Sequence, residues 1–214
     1  MKFKTRPRRA PCVLLLVIVF CGGCSFEKFA ADNMAPVLAK TNASFNRGRV
    51  PRAAREAAPG LLATLEGLIA ASPDNEELLL LKAELNAGFA FAMIEEEYRR
   101  AERAYEETEA AELKAWAREL YRTARAAGRH ALEQHASGLP GRVEAVDASE
   151  ITPLLRRELS PDALPALFWW AFSWGAQINL DIDLGAKVTK DLPRVRALMT
   201  WALETDESYF NGGP

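Results

Sequence analysis

Beyond position 24 the sequence has no cysteine: Cys12, Cys21 and Cys24 are the only three. That part of the chain can close no internal disulfide, so its stability must come from a hydrophobic core. Histidine is nearly as scarce, with only His130 and His135. On a helix these two diverge by well over a quarter turn and cannot easily share a metal, so surface positions are expected. Nucleophilic catalysis needs a base beside its nucleophile. With so little histidine, no Gly-x-Ser-x-Gly elbow and no phosphate-cradling glycine loop, an enzyme is the poorer reading. No catalytic residue, metal or cofactor is expected. Asp181-Ile182-Asp183 sets two acids close together. A calcium loop needs more oxygen ligands and a glycine at a set spacing, so a plain loop or short turn is expected there. β-Branched residues are sparse, while Ala, Leu, Glu and Arg dominate, which favours helix.

The N-terminus carries Lys2, Lys4, Arg6, Arg8 and Arg9, then the apolar run Val13 to Phe20. This is the layout of a signal peptide, and the run is too short for an ordinary membrane-spanning helix. Its exit, Cys21-Gly22-Gly23-Cys24-Ser25, resembles a bacterial lipobox, with Cys21 where Leu is usual. The resemblance implies lipidation of Cys24, and Ser25 after it implies the outer membrane. Residues 1–23 are thus expected as signal, 24–32 as a lipidated tether and 33–214 as a helical domain. Removing the signal takes five basic groups and no acidic ones, carrying the formal charge from −2 to −7. An acidic mature chain argues against nucleic acid as a partner. About 190 residues suffice for one domain with a good core.

Along the domain, Met34, Val37, Leu38, Thr41 and Phe45 form a first amphipathic stripe, ending near Arg47-Gly48, with Pro36 in the first turn. A second helix runs from about Arg52 to Ala71 with Leu61, Leu65, Leu68 and Ile69 inward. Pro59-Gly60 is expected to kink or restart it. Asp74 and Glu77 read as a capping box for a third helix carrying Leu78, Leu81, Leu85, Gly88 and Ala92. Gly88 and the alanines there suggest close approach of another helix. Glu95-Glu96-Glu97 with Arg99-Arg100 reads as a solvated face. The stripes Tyr98, Ala101, Tyr105 and Leu113, Ala117, Leu120, Ala124, Ala131 do not share a register, which places a break between Glu106 and Ala110. Ser137 to Gly141 is a turn, and Ser149 is expected to cap a short helix to Leu159. Asp191 and Pro193 open a last helix with Val195, Leu198, Met199, Ala202 and Leu203.

The chain is organised around Ser160 to Leu180. Ser160, Pro161 and Asp162 make a strong helix start. One stripe runs Leu164, Leu167, Phe168, Ala171, Gly175, Ile178, and a second runs Trp169, Trp170, Ser173, Trp174, Gln177. A helix apolar on nearly every side is usually central, and Leu167 and Phe168 are expected in the core. The aromatics fit either core packing or a face of Trp170, Ser173, Trp174 and Gln177 lining a cavity for a partly apolar ligand.

Pro59 onward aligns with Pro193 onward, and Ile69 to Asn75 resembles a junction between tetratricopeptide repeats. The repeats are degenerate. Tyr209 to Pro214 reads as the start of a further helix, so the C-terminal helices of the array are expected to be missing. Taken together, the lipobox, Ser72 to Leu81, Ala166 to Leu180, Asp191 to Glu204, Tyr209 and Gly212-Gly213 resemble, in that order, the T-component family of TRAP transporters. The resemblance covers nearly all the mature chain. It implies an all-α fold of stacked helix pairs, a degenerate tetratricopeptide-like right-handed array around the Trp-rich helix. It further implies a periplasmic lipoprotein that partners the solute-binding subunit of a tripartite, ATP-independent transporter, forms homotrimers at full length, and has a channel-like cavity in each subunit. The rival reading is a general envelope adaptor lipoprotein that binds a protein partner and has no transport role.

Overall fold

The computed structural model describes residues 26–42 and 51–213. The signal stretch, Cys24, Phe45 and Arg47-Gly48 lie outside them. Among the described residues every regular element is helical. Helix α1 covers residues 26–42, α2 Pro51–Ala71 and α3 Glu76–Phe89. A π-helical turn, Ala90–Ile94, joins α3 to α4 (Glu95–Arg103). Helix α5 (Glu107–His135) is followed by α6 (Leu139–Ala145) and α7 (Ala148–Glu158). A 3-10 turn leads into α8 (Leu164–Leu180), and α9 (Ala186–Thr189), α10 (Leu192–Thr205) and α11 (Tyr209–Gly212) complete the order.

Helix α8 is central, as its composition predicts. It packs along α5 and α10 and also meets α3. One side places Leu167, Trp170, Ala171, Trp174 and Ile178 with Leu139, Ile151, Leu155, Leu198 and Trp201 of α6, α7 and α10. The other side places Phe168, Trp169 and Leu180 with Ala87, Phe89, Ile94, Tyr121 and Ala124 of α3, the π turn and α5. Leu167 and Phe168 are both buried, but in different clusters. Each large apolar side chain buried this way stabilises the fold by about 1.5–3 kcal/mol.

The close helix approach is not at Gly88, where an added Cβ would meet nothing within 4 Å. It is at Gly128 of α5, where a Cβ would lie 2.7 Å from the backbone nitrogen of Trp170 and 3.0 Å from its Cα. Sequence gives no hint of this, because one glycine in an Ala-rich helix looks like any other small residue.

Several local expectations need correction. Residues 26–32 are helical rather than a tether. The inward residues of α1 are Ala31, Ala35 and Leu38, which pack on Leu65, Leu78 and Leu81, so Met34 and Val37 point outward. Pro36 sits inside this helix, not in its first turn. Helix α2 runs unbroken through Pro59, which makes Pro59 an interior residue while Pro193 is at a helix start. The proposed repeat therefore does not align as structural elements. The cap of α3 is Asn75, whose side chain accepts from the Leu78 N–H at 3.0 Å, rather than Asp74. The break after α4 falls at Ala104 to Glu106, slightly early, with Tyr105 at φ +59°. Asp147, not Ser149, is the residue at the N-cap of α7. In α10 Trp201 is buried and Leu203 is exposed.

One carboxylate ties α1 to the α2–α3 turn. Asp32 Oδ1 accepts from Ser72 Oγ at 2.6 Å and Asn75 Nδ2 at 2.7 Å, and Oδ2 accepts from Lys28 Nζ at 3.1 Å. These hydrogen bonds hold its pKa down at about 2. The histidines dock α5 on the same turn: His130 Nε2 lies 3.1 Å from Asp74 Oδ1 and His135 Nε2 lies 2.7 Å from Glu76 Oε1.

Two predictions follow from this packing. Gly128→Ala should lower stability by about 1–3 kcal/mol, because backbone must move, despite the helix-propensity gain. Gly88→Ala should be neutral or raise stability by up to about 1 kcal/mol; urea denaturation of both variants measures the contrast. For Asp32 the folded pKa is depressed below an unfolded value of about 3.9. Its contribution is therefore present above that value and lost as pH falls toward the folded pKa of about 2. Asp32→Asn should flatten this acid limb when thermal midpoints are followed from near-neutral to acidic pH.

Candidate functional site

The face nominated from sequence lies in the α5–α8 interface. Trp170 and Ser173 are fully buried. Trp170 stacks at a tilt on Trp174 with ring centroids 5.7 Å apart. The Arg125 guanidinium of α5 covers the outer face of Trp174 at 3.9 Å from the ring centroid. Burial pulls the Arg125 pKa down from its ordinary value, and Glu144 and Asp191 oppose that. Gln177 is half-buried. Trp170 Nε1 and Ser173 Oγ have no hydrogen-bond partner among the described residues. Such groups are uncommon in folded interiors, where most buried polar atoms are paired.

The described concavities lie elsewhere. One, of about 620 Å³, is walled by α4, the start of α5, and the end of α8 with the turn after it. Tyr98, Arg99, Glu102, Lys114, Ile182 and Asp183 are among its residues. A second, of about 250 Å³, is apolar, with Phe91, Phe172, Ala176, Val195 and Met199 in its wall. Glu95 and Asn179 border both.

Glu95 was expected on a solvated face with Glu96 and Glu97. It is instead only 5% exposed. The reason is the π turn immediately before it. The Glu95 backbone N–H reaches back to the Ala90 carbonyl, and the wider turn rotates the following residues relative to an α-helical register. Glu96 and Glu97 still face outward, paired with Arg100 and Arg55. Burying a carboxylate costs several kcal/mol unless its oxygens are satisfied. Tyr121 donates its hydroxyl hydrogen to Glu95 Oε1, and Arg99 Nη2 donates to Oε2 at 3.0 Å. Burial, reinforced by Glu95, pushes the Tyr121 phenol far above its ordinary pKa, so it remains a donor.

The larger concavity has five carboxylates, Glu95, Glu102, Glu106, Glu107 and Asp183, against the two cations Arg99 and Lys114. Lys114 Nζ reaches Asp183 Oδ1 at 3.1 Å, and Arg118 Nε reaches Asp181 Oδ2 at 2.9 Å. The Asp181–Asp183 stretch is thereby clamped to α5. Burial, then the Glu102 hydrogen bond, raises Tyr98 to about 12, so this wall residue stays neutral. Among the described residues no group of three or more His, Cys, Asp or Glu is placed to hold a metal ion.

A family model described as TRAP transporter T-component matches residues 50–214. The chain belongs to the TRAP transporter T-component family. No curated protein and no solved structure matches the chain. The T-component is an accessory component of a transporter, and membership associates the chain with a TRAP transporter. The matched T-component region spans α2 to α11 and holds both concavities.

Sequence reasoning missed Glu95, Tyr121 and Asn179. The only available signal for Glu95 was that it directly follows an apolar stretch, Phe89 to Ile94, with no polar face. The Tyr121 hydroxyl predicts a clean test. Tyr121→Phe leaves a buried carboxylate oxygen short of a donor and should cost about 1–3 kcal/mol in equilibrium unfolding. Tyr105→Phe, at a residue 90% exposed, should stay within about 0.5 kcal/mol of the parent.

Proposed function

We propose that this T-component is a lipid-anchored protein on the periplasmic face of the outer membrane. In this reading Cys24 carries the lipid, the domain docks the solute-binding subunit of its TRAP transporter, and the full-length protein assembles as a homotrimer. Packed helix pairs such as α2 with α3 and α8 with α10 present the partner surface.

The observation that carries the solute-handling part is the pair of concavities meeting at Glu95 and Asn179. One is apolar and the other is acidic. Sites of this kind bury an apolar group in one lobe and fix orientation with a few placed polar groups in the other. A small ligand with an apolar body and a polar or cationic end suits both lobes. The face of Trp170, Ser173, Trp174 and Gln177 enters the proposal as an interior second contact, supported by the two unpartnered polar atoms there.

Full-length, acyl-free protein should bind its solute-binding subunit at micromolar concentrations in sedimentation velocity experiments. Glu95→Gln and Phe172→Ala should weaken solute transfer at least tenfold, about 1.4 kcal/mol or more in binding terms, while docking changes less than threefold. Trp170→Phe and Ser173→Ala remove the unpartnered groups while keeping most of the packing. If both leave solute transfer unchanged, the interior contact is withdrawn. Failure to bind the solute-binding subunit, with capture of another purified envelope protein instead, would favour the adaptor reading.

A further inference from the structure

Helix α1 has a second face on which none of the core clusters of the described residues packs. Its inner side, Ala31, Ala35, Leu38 and Asn42, is buried against α2 and α3. Helical periodicity sets Phe26, Phe29, Met34 and Val37 on the other side. They are 71%, 64%, 44% and 59% exposed. From Phe26 to Val37 this strip is about 16 Å long. Its polar interruption is muted, since the Asn33 amide donates back to the Phe29 carbonyl at 2.7 Å and Pro36 has no N–H to offer. Contiguous apolar surface of this sort marks a contact site on a soluble domain.

The preceding sequence says what the contact is. Cys24 lies two residues before Phe26, a reach of at most about 7 Å. Acyl chains on Cys24 would bring the start of α1 to the bilayer surface, with its apolar strip beside the headgroups. The helix carries Glu27, Lys28, Asp32 and Lys40, and no described helix is long and apolar enough to cross a membrane. A helix of this kind lies in the interface plane rather than spanning it. We propose that α1 is an interfacial helix: Phe26, Phe29, Met34 and Val37 insert among lipid headgroups and fix the orientation of the domain on its membrane. The proposal rests on lipidation of Cys24, whose several acyl chains supply the anchoring itself; α1 adds orientation. Residues 26–42 precede the region matched by the family model, residues 50–214.

The test uses the mature chain carrying Cys24→Ser, mixed with vesicles of phosphatidylethanolamine and phosphatidylglycerol and sedimented. The acyl-free parent should partition measurably onto the vesicles. The double variant Phe26→Ser, Phe29→Ser should bind at least about tenfold more weakly, as binding scales with buried apolar area. Both side chains are exposed, so circular dichroism and the melting midpoint should match the parent. Absence of parent binding, or equal binding by the double variant, overturns the proposal. So does a parent oligomer in sedimentation velocity that the double variant dissociates while vesicle binding is absent, since a second copy then covers the strip. Fatty-acid labelling in cells separates the two ideas. Labelled Cys24 with no vesicle binding by the acyl-free chain sinks the α1 proposal and keeps the anchor. Unlabelled Cys24 with strip-dependent vesicle binding removes the anchor and supports α1 as the membrane contact.

Discussion

Backbone contact between α5 and α8 at Gly128 is the constraint on which the rest of the structure depends. The Trp169–Trp170 backbone comes as close to Gly128 as a missing Cβ permits. This lets α8 sink between neighbours until almost its whole circumference is covered. Because α8 is that deep, it serves as the shared wall of two apolar clusters, one toward α6, α7 and α10 and one toward α3 and the π turn. The large aromatic side chains then pack on either side of the crossing rather than at it. With the helices farther apart, Trp170 would lose its close fit and Arg125 its seat on Trp174.

The same depth places the functional geometry. Tyr121 lies on α5, two helical turns before Gly128, and donates to Glu95 at the end of the π turn. The far end of α8 supplies Phe172, Ala176 and Asn179 beside that carboxylate. An acidic groove and an apolar one thus meet at a buried charge whose oxygens are satisfied by a phenol and a guanidinium. The π turn is the device that makes it possible, since an unbroken α-helix would leave Glu95 in register with its solvated neighbours.

At the other end of the fold, α1 packs on its inner side and leaves an apolar strip exposed on the other. Asp32 gathers Lys28, Ser72 and Asn75 and so binds α1 to the turn that caps α3. The histidines of α5 dock on the same turn through Asp74 and Glu76. The α2–α3 turn is therefore a polar joint shared by three helices.

By itself the sequence determined the helical class, the centrality of Ser160 to Leu180, the start of the last long helix at Asp191, and the family. These are legible because apolar periodicity acts over one or two turns and needs no partner, whereas several caps and the prolines at 36 and 59 were misplaced by sequence. Burial of Leu167 and Phe168 followed for the same reason. Only the tertiary structure decided which faces met. The distinction between Gly88 and Gly128 depends on what lies across the helix, not on the glycine. Glu95 looked like Glu96 and Glu97 because a π turn adds one residue without any compositional mark. The outward strip of α1 looked like a core stripe because apolar spacing reports that a face exists, while the residues packed opposite decide whether it turns inward or is left facing out.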